Sequence, residues 1–284
     1  IGKILLFVCI EQAPKLLKMS FSNKVVIVTG ASSGIGAATA IAFVKEGANV
    51  VIVGRNVQKL QRVNDECVKV GKLPLVIRAD VSNDEDSKRI INETIEKYGQ
   101  IDVLVNNAGI IAFDSILDDN IVSVYDSIMK TNMRAVVSMT HLAAPHLIKT
   151  KGNIVNISSV AGKITIKDYQ MVCYSSSKAA LDHFTRLVAA ELAKYGVRVN
   201  AISPGPVKTD IAINAGIDVS TLSDEDEAQT VSPRWAGGLV TAGLALSLYY
   251  KILLYVIFVL LYIQIINKEI NNFKYDILKT CNVY

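Results

Sequence analysis

The chain has 284 residues, 51% of them hydrophobic and 20% charged, with a formal net charge of +4 at pH 7. That composition supplies one large α/β domain with a substantial core and excludes a disordered or collagen-like chain. Scattered lysines and arginines argue against nucleic acid as a partner, and the widely spaced Cys9, Cys67, Cys173 and Cys281, with no paired histidines, leave no metal site to expect.

From the amino end, the apolar run 4–10 is too short to cross a bilayer and is followed by Glu11 rather than a small-residue cleavage site. Residues 1–18 are read as an extra segment, with Met19 the expected native start. The β-branched run 24–28 predicts a strand buried on both faces, and residues 35–45 have helical composition. Between them lies Thr29-Gly30-Ala31-Ser32-Ser33-Gly34-Ile35-Gly36. Its glycines let the backbone turn tightly and approach a pyrophosphate, whose charge N–H groups and the positive end of the helix dipole would hold. The GxxxGxG spacing departs from the commoner GxGxxG, and the alternative is a plain strand-to-helix turn.

Further strands are predicted at 49–53, 75–79, 103–106, 153–157 and 198–202, alternating with helices at about 57–70, 84–98, 121–148 and 175–195. Ser82-Asn83-Asp84 is a helix start signal, and Gly47, Gly71, Gly99 and Gly196 lie where helices should stop. The alternation predicts a doubly wound parallel sheet, a Rossmann fold in one domain, with the strand carboxyl ends along one ligand-binding edge.

That edge carries the chemistry. The second strand ends in Val53-Gly54-Arg55, where an acidic residue would hold a ribose 2′-hydroxyl; the cation there favours NADP over NAD, against a merely solvated arginine. Asp80, followed by Val81, is placed to meet the adenine amine, or else to cap a helix. Asn106-Asn107-Ala108-Gly109 suits a close backbone approach to a ligand, or an ordinary turn. After Asn156-Ile157-Ser158-Ser159 comes Tyr174-Ser175-Ser176-Ser177-Lys178, whose tyrosine and lysine share a helix face and can act as a unit.

In this order the motifs resemble the short-chain dehydrogenase/reductase family over about residues 22–211. The matching pieces are TGASSGIG at 29–36, Asp80 in ADV, NNAG at 106–109, Asn132 in TNMRA, ISS at 157–159, YSSSK at 174–178 and NAISPGPVKTD at 200–210. Members similar in these motifs include 3-oxoacyl-carrier-protein reductases and hydroxysteroid dehydrogenases. The resemblance implies an NAD(P)(H)-dependent oxidoreductase that interconverts a carbonyl and a secondary alcohol of a small molecule. It implies Tyr174 as general acid/base, Lys178 as the group that lowers its pKa and holds the nicotinamide ribose, Ser159 as donor to the substrate carbonyl, and Asn132 as anchor of a proton-relay water. It also implies a cofactor site of Gly30, Ser32, Ser33, Gly34, Ile35, Gly36, Arg55, Asp80, Val81, Asn106, Ala108, Gly109, Tyr174 and Lys178. Pro204, Gly205, Val207 and Thr209 would cup the nicotinamide carboxamide. Adjacent strand residues point opposite ways, so Ser158 competes with Ser159; the family motif favours Ser159.

The resemblance fades after Ile211. Residues 218–238 are acidic and irregular, 239–266 form an apolar run with Lys251 its only charge, and 267–284 are a polar tail. The domain proper is read as 19–217, without the family's usual last strand. The stretch 244–266 has about the 20 residues that a membrane span needs, whereas the isoleucine, asparagine, lysine and tyrosine of the tail suit translated noncoding sequence. Two alternatives to a cytoplasmic enzyme therefore stand: an impaired cofactor-binding protein from a truncated gene product, and a membrane-anchored reductase of a lipid-like substrate. A homo-oligomer is expected if the carboxyl-terminal part is native-like.

Overall fold

The structure, a computed structural model, describes residues 21–165, 170–205, 207 and 209–211. Residues 1–18, the acidic segment, the apolar run and the polar tail lie outside the described residues, as does any last strand. Among the described residues no helix is long and apolar enough to cross a membrane.

The strands are β1 (Val25–Thr29), β2 (Asn49–Gly54), β3 (Leu75–Arg78), β4 (Val103–Asn106), β5 (Asn153–Ile157) and β6 (Arg198–Ile202). They form one parallel sheet in the order β3-β2-β1-β4-β5-β6. The helices are α1 (Gly34–Lys45), α2 (Val57–Val70), α3 (Asp84–Tyr98), α4 (Ile121–Met129), α5 (Ala135–Thr150) and α6 (Val172–Leu192). This is the predicted doubly wound Rossmann architecture. Its core lies in two layers, because alternate residues of a strand buried on both faces must each find apolar cover. Val26, Val28, Val50 and Ile52 pack with Phe43 of α1 and Leu60 of α2. Ile27, Val51, Val53 and Leu104 pack on the other face with Ile90 of α3 and Met139 and Leu147 of α5.

The chain runs outward from β1 through β2 to β3, then returns to place β4 on the other side of β1. The carboxyl ends of β1 and β4 therefore diverge into a crevice, the place where open α/β sheets bind ligands. At the opposite end the same pair is tied by Asp102, which is buried. Its carboxylate accepts from Val25 N at 2.8 Å, Lys24 Nζ at 2.8 Å and Gln100 Nε2 at 2.7 Å.

Two element boundaries differ from expectation. The helix predicted over 121–148 is interrupted by a π-turn at Lys130–Arg134, which adds a residue to one turn and swings Asn132 into the interior. The helix expected from 175 begins at Val172, because the carboxylate of the distant Asp114 accepts from Cys173 N at 3.0 Å and satisfies an N-terminal donor.

Asp102→Ala would leave the Val25 N–H buried without its acceptor. It should cost about 2–3 kcal/mol, read as a lower urea midpoint with an unchanged slope.

Candidate active site

The loop from β1 to α1 is shaped by its neighbour, the end of β4. The Thr29 hydroxyl accepts from the backbone N–H groups of Asn107 and Ala108, at 3.0 and 3.1 Å. The Asn107 amide in turn donates to Thr29 O at 2.9 Å and Gly30 O at 3.1 Å. Glycine is required here for space as well as conformation. Gly30 has a φ of +64°, and a Cβ on it would stand 2.8 Å from both Ala108 Cα and Asn107 Nδ2. A Cβ on Gly36 would meet Gly30 O. Helix α1 starts at Gly34 behind Ser33, which makes no side-chain cap, so its first-turn N–H groups face the crevice and can take an anion. The loop fits a dinucleotide diphosphate: backbone donors, no side-chain bulk and the positive end of a helix converge there.

At the end of β2, Gly54 is closely packed: a Cβ there would sit 3.2 Å from Ser32 Cβ, so a neighbour would have to give. Arg55 follows, 66% exposed at its side chain, with Nη1 3.7 Å from Asp80 Oδ2. Asp80 does not cap α3; Asn83 does, accepting from Glu85 N and Asp86 N. Asp80 accepts instead from Ser82 N at 2.9 Å, which holds its carboxylate near Arg55. Val81 is buried in the core, so any cofactor contact from it falls to its backbone. Asn106 is also turned inward, donating to Asn156 Oδ1 at 2.9 Å. The residue that faces the glycine loop is its neighbour Asn107, which the sequence reading passed over.

Four polar side chains meet where β5 and α6 face the crevice. Lys178 is buried and donates to Ile157 O at 2.8 Å, with Nζ 5.7 Å from the centre of the Tyr174 ring. Ser159 hydrogen-bonds Tyr174 and accepts from Ala161 N at 3.1 Å, closing the short turn Val160–Gly162. Ser158 points the other way and donates to Lys178 O at 3.3 Å. Asn132 is fully buried: its amide oxygen accepts from Ile110 N at 2.8 Å, and its nitrogen donates to Ile110 O at 2.9 Å and Ser177 Oγ at 3.1 Å. Ser177 then donates to Tyr174 O at 2.7 Å. Gly109 fits between two of the four, since a Cβ there would lie 3.3 Å from Asn132 Oδ1 and 3.6 Å from Lys178 Nζ. Asn107, Asp114 and Ser177 were not singled out from the sequence. Only the NNAG string offered a signal for the first, and nothing local marks the other two.

Burial dominates the electrostatics of the pair. It raises the Tyr174 pKa above that of free tyrosine, while the hydrogen bond from Ser159 pulls the other way. Burial lowers Lys178 to about 8, opposed by the carboxylate of Asp182 one turn along. The phenolate that the sequence reading expects the ammonium to favour is thus not reached with the protein's own groups. Cys173 beside Tyr174 is buried and its thiol is pushed up to about 11, chiefly by burial, so it stays an inert thiol.

The segment after β6 lies along the same edge. Pro204 O accepts from Val160 N at 2.9 Å, Gly205 has open space where a Cβ would stand, and Val207 is partly buried. Thr209 rests against Gly34. Among the described residues no cluster of histidine, cysteine, aspartate and glutamate could hold a metal ion.

A parallel sheet with a glycine cradle at its switch point and a tyrosine–lysine pair beside it defines a nucleotide-binding oxidoreductase. The sequence pattern of the short chain dehydrogenase family matches residues 24–219, and the chain belongs to that family. It is 39% identical over 207 residues to the short-chain dehydrogenase/reductase FrzI of Cladobotryum sp, covering 72% of this chain and 79% of that one. It is 37% identical over 193 residues to L-fucose dehydrogenase of Bos taurus, covering 67% of this chain and 68% of that one. Among solved structures it is similar to a short-chain dehydrogenase/reductase of unknown function from Caenorhabditis elegans, determined with cofactor. There the identity is 42% and the TM-score 0.66, over 70% of this chain and 76% of that one.

Lys178→Met isolates the buried charge. Unfolded lysine keeps its proton up to about 10.5, whereas the folded chain releases it at about 8, so the unfolded state binds more protons in between and stability rises with pH there. Relative to Lys178→Met, the unsubstituted chain should therefore gain stability from about pH 8 toward pH 10. Urea-midpoint profiles that run parallel for the two proteins over that range would mean that burial does not depress the Lys178 pKa.

Proposed function

We propose that the chain is an NADP(H)-dependent enzyme that interconverts a carbonyl and a secondary alcohol, with Tyr174 as general acid/base. The observation that carries this reading is a buried tyrosine hydrogen-bonded to Ser159 and flanked by Lys178, beside the glycine cradle. The bound nicotinamide supplies hydride chemistry and, when oxidised, a positive charge. The chain's residues supply the remainder. Ser159 donates to the substrate oxygen, and Tyr174 gives its proton to that oxygen in reduction or takes it in oxidation. Lys178, fixed by Ile157 O, holds the ribose and favours the phenolate; Asn132, committed to Ile110 and Ser177, holds the β4 end against α6. Even a free tyrosine, with a pKa near 10, suits no base at neutral pH; lowering it by about 3 units takes about 4 kcal/mol, a minimum for Tyr174 since burial raises its pKa, and two adjacent positive charges in a partly dry cleft supply energy of that order. The likeness to L-fucose dehydrogenase supports including sugar-type alcohols in a substrate panel.

The NADP preference rests on Arg55 beside the small residues Gly54 and Ser32. At the end of β2 a 2′-phosphate meets a guanidinium, for which it competes with the Asp80 carboxylate 3.7 Å from Nη1.

Tyr174→Phe should lose at least about a hundredfold in turnover while NADPH still binds, the scale that general acid–base catalysis supplies. Retained turnover would remove Tyr174 from the mechanism. Arg55→Ala should weaken NADPH by about 1.5–3 kcal/mol, with little change for NADH, in fluorescence titrations. Equal losses for the two cofactors would mean that the arginine does not read the phosphate.

A further inference from the structure

Strand β6 is the edge strand farthest from β2 among the six, yet Asp210, which follows it in the chain, meets Lys59 of α2. On the way it is held in three places. Pro204 O accepts from Val160 N next to Ser159, Thr209 packs on Gly34, and Asp210 Oδ2 meets Lys59 Nζ at 2.5 Å. The Thr209 contact is close: a Cβ on Gly34 would fall 2.7 Å from Thr209 Cγ2. Lys59 lies in the first turn of α2, where its N–H donates to the Asn56 cap at 2.9 Å, so the ammonium projects from a fixed base. The ion pair joins positions 151 apart in sequence, and its side chains are only 38% and 30% exposed. Such a pair is less screened than the fully exposed ones on the helix surfaces.

We propose that Lys59 and Asp210 are a positioning pair that straps Thr209 across the diphosphate cradle and slows release of the cofactor. The inference rests on the reading of that cradle as a nicotinamide dinucleotide site. The lysine has two effects. It fixes the far end of the strap beyond the glycine loop. It also neutralises a carboxylate that would otherwise stand one residue from the point where the strap meets the cradle, and would repel the phosphates. Neither residue touches the reacting atoms.

The test is stopped-flow release of NADPH and of NADH from the full chain, with hydrogen exchange of the cofactor-free protein as a second readout. Lys59→Met and Asp210→Asn should each speed release of both cofactors by roughly three- to tenfold, Lys59→Met more, since it leaves the carboxylate unpaired. Each should also quicken amide exchange over residues 34–36. The charge-swapped double substitution Lys59→Asp with Asp210→Lys should return both readouts to within about twofold of the starting protein. Release rates unchanged in the single variants, or no recovery in the swap, would overturn the proposal while leaving cofactor binding intact. A Lys59→Met effect confined to NADPH would make Lys59 a ligand of the 2′-phosphate and overturn it too. Failure of the unsubstituted chain to bind either cofactor would instead remove the dinucleotide reading, and the strap with it.

Discussion

The geometry of the carboxyl edge depends on one cross-strand staple, the Thr29 hydroxyl and the Asn107 side chain between the ends of β1 and β4. Two parallel strands that part at a switch point have backbone groups with no ladder partner, and in a buried crevice each such group is costly unless something local satisfies it. Thr29 Oγ1 takes the Asn107 and Ala108 N–H groups, donates to Val105 O at 3.2 Å, and so closes the end of β4. Asn107 Nδ2 takes the carbonyls of Thr29 and Gly30, so those oxygens point away from the cradle and toward β4. With these carbonyls turned aside, the N–H groups at the start of α1 are what an anion meets. The glycines are a consequence of the same staple. At Gly30 and Gly36 the nearest obstacle to any side chain includes the Asn107 amide itself.

A second constraint acts through α6. Placing an ammonium in the interior opposes stability, because desolvation disfavours the charged form. Lys178 is kept there by Ile157 O and by the carboxylate of Asp182, whose oxygens are buried and have no hydrogen-bond partner. Both groups are poorly served by folding alone. A buried base that is half-ready to lose its proton, opposite a phenol that burial holds protonated, is a state that an added positive charge can tip. Structural helices seldom carry such an arrangement, and pairs of perturbed titratable groups in a crevice mark functional sites.

Much of this was legible in the sequence. The strands of a sheet covered on both faces read as continuous β-branched runs, and all six were anticipated to within a residue at each end. Glycine stops and the Asn83 cap fixed α3 in the same way, through chemistry local to the chain. What escaped was decided by contacts remote in sequence. Asp114 starts α6 from 59 positions away from Cys173, so no local signal could move the helix start from 175 to 172. The π-turn at 130–134 has no breaker residue; Asn132 is drawn inward by Ile110 and Ser177, which reward the extra residue in the turn. Choosing Asn106 over Asn107 reflects the period of two along a strand. Residues next to each other face opposite sides, and the sequence does not say which one the crevice takes.

Beneath the site, a row of buried amides and hydroxyls sets how α6 sits on the sheet. Asn106 Nδ2 donates to Asn156 Oδ1, Asn156 Nδ2 donates to Thr185 Oγ1, and Thr185 Oγ1 donates to Leu181 O. Along this row the donations run from β4 through β5 into the helix, with Asn106 Nδ2 also reaching Thr140 Oγ1 at 3.4 Å, so sliding α6 by a turn would leave an amide buried without an acceptor. An apolar layer would tolerate such a slide at little cost, since one aliphatic contact replaces another. The row therefore fixes the helix relative to β5, and Tyr174 and Ser159 are carried by those two elements. Their hydrogen bond is a downstream result of polar groups that never face the crevice. Specificity of packing here comes from the chemistry that is hardest to bury, which explains why polar side chains line the floor of a sheet whose strands are otherwise mostly valine and isoleucine.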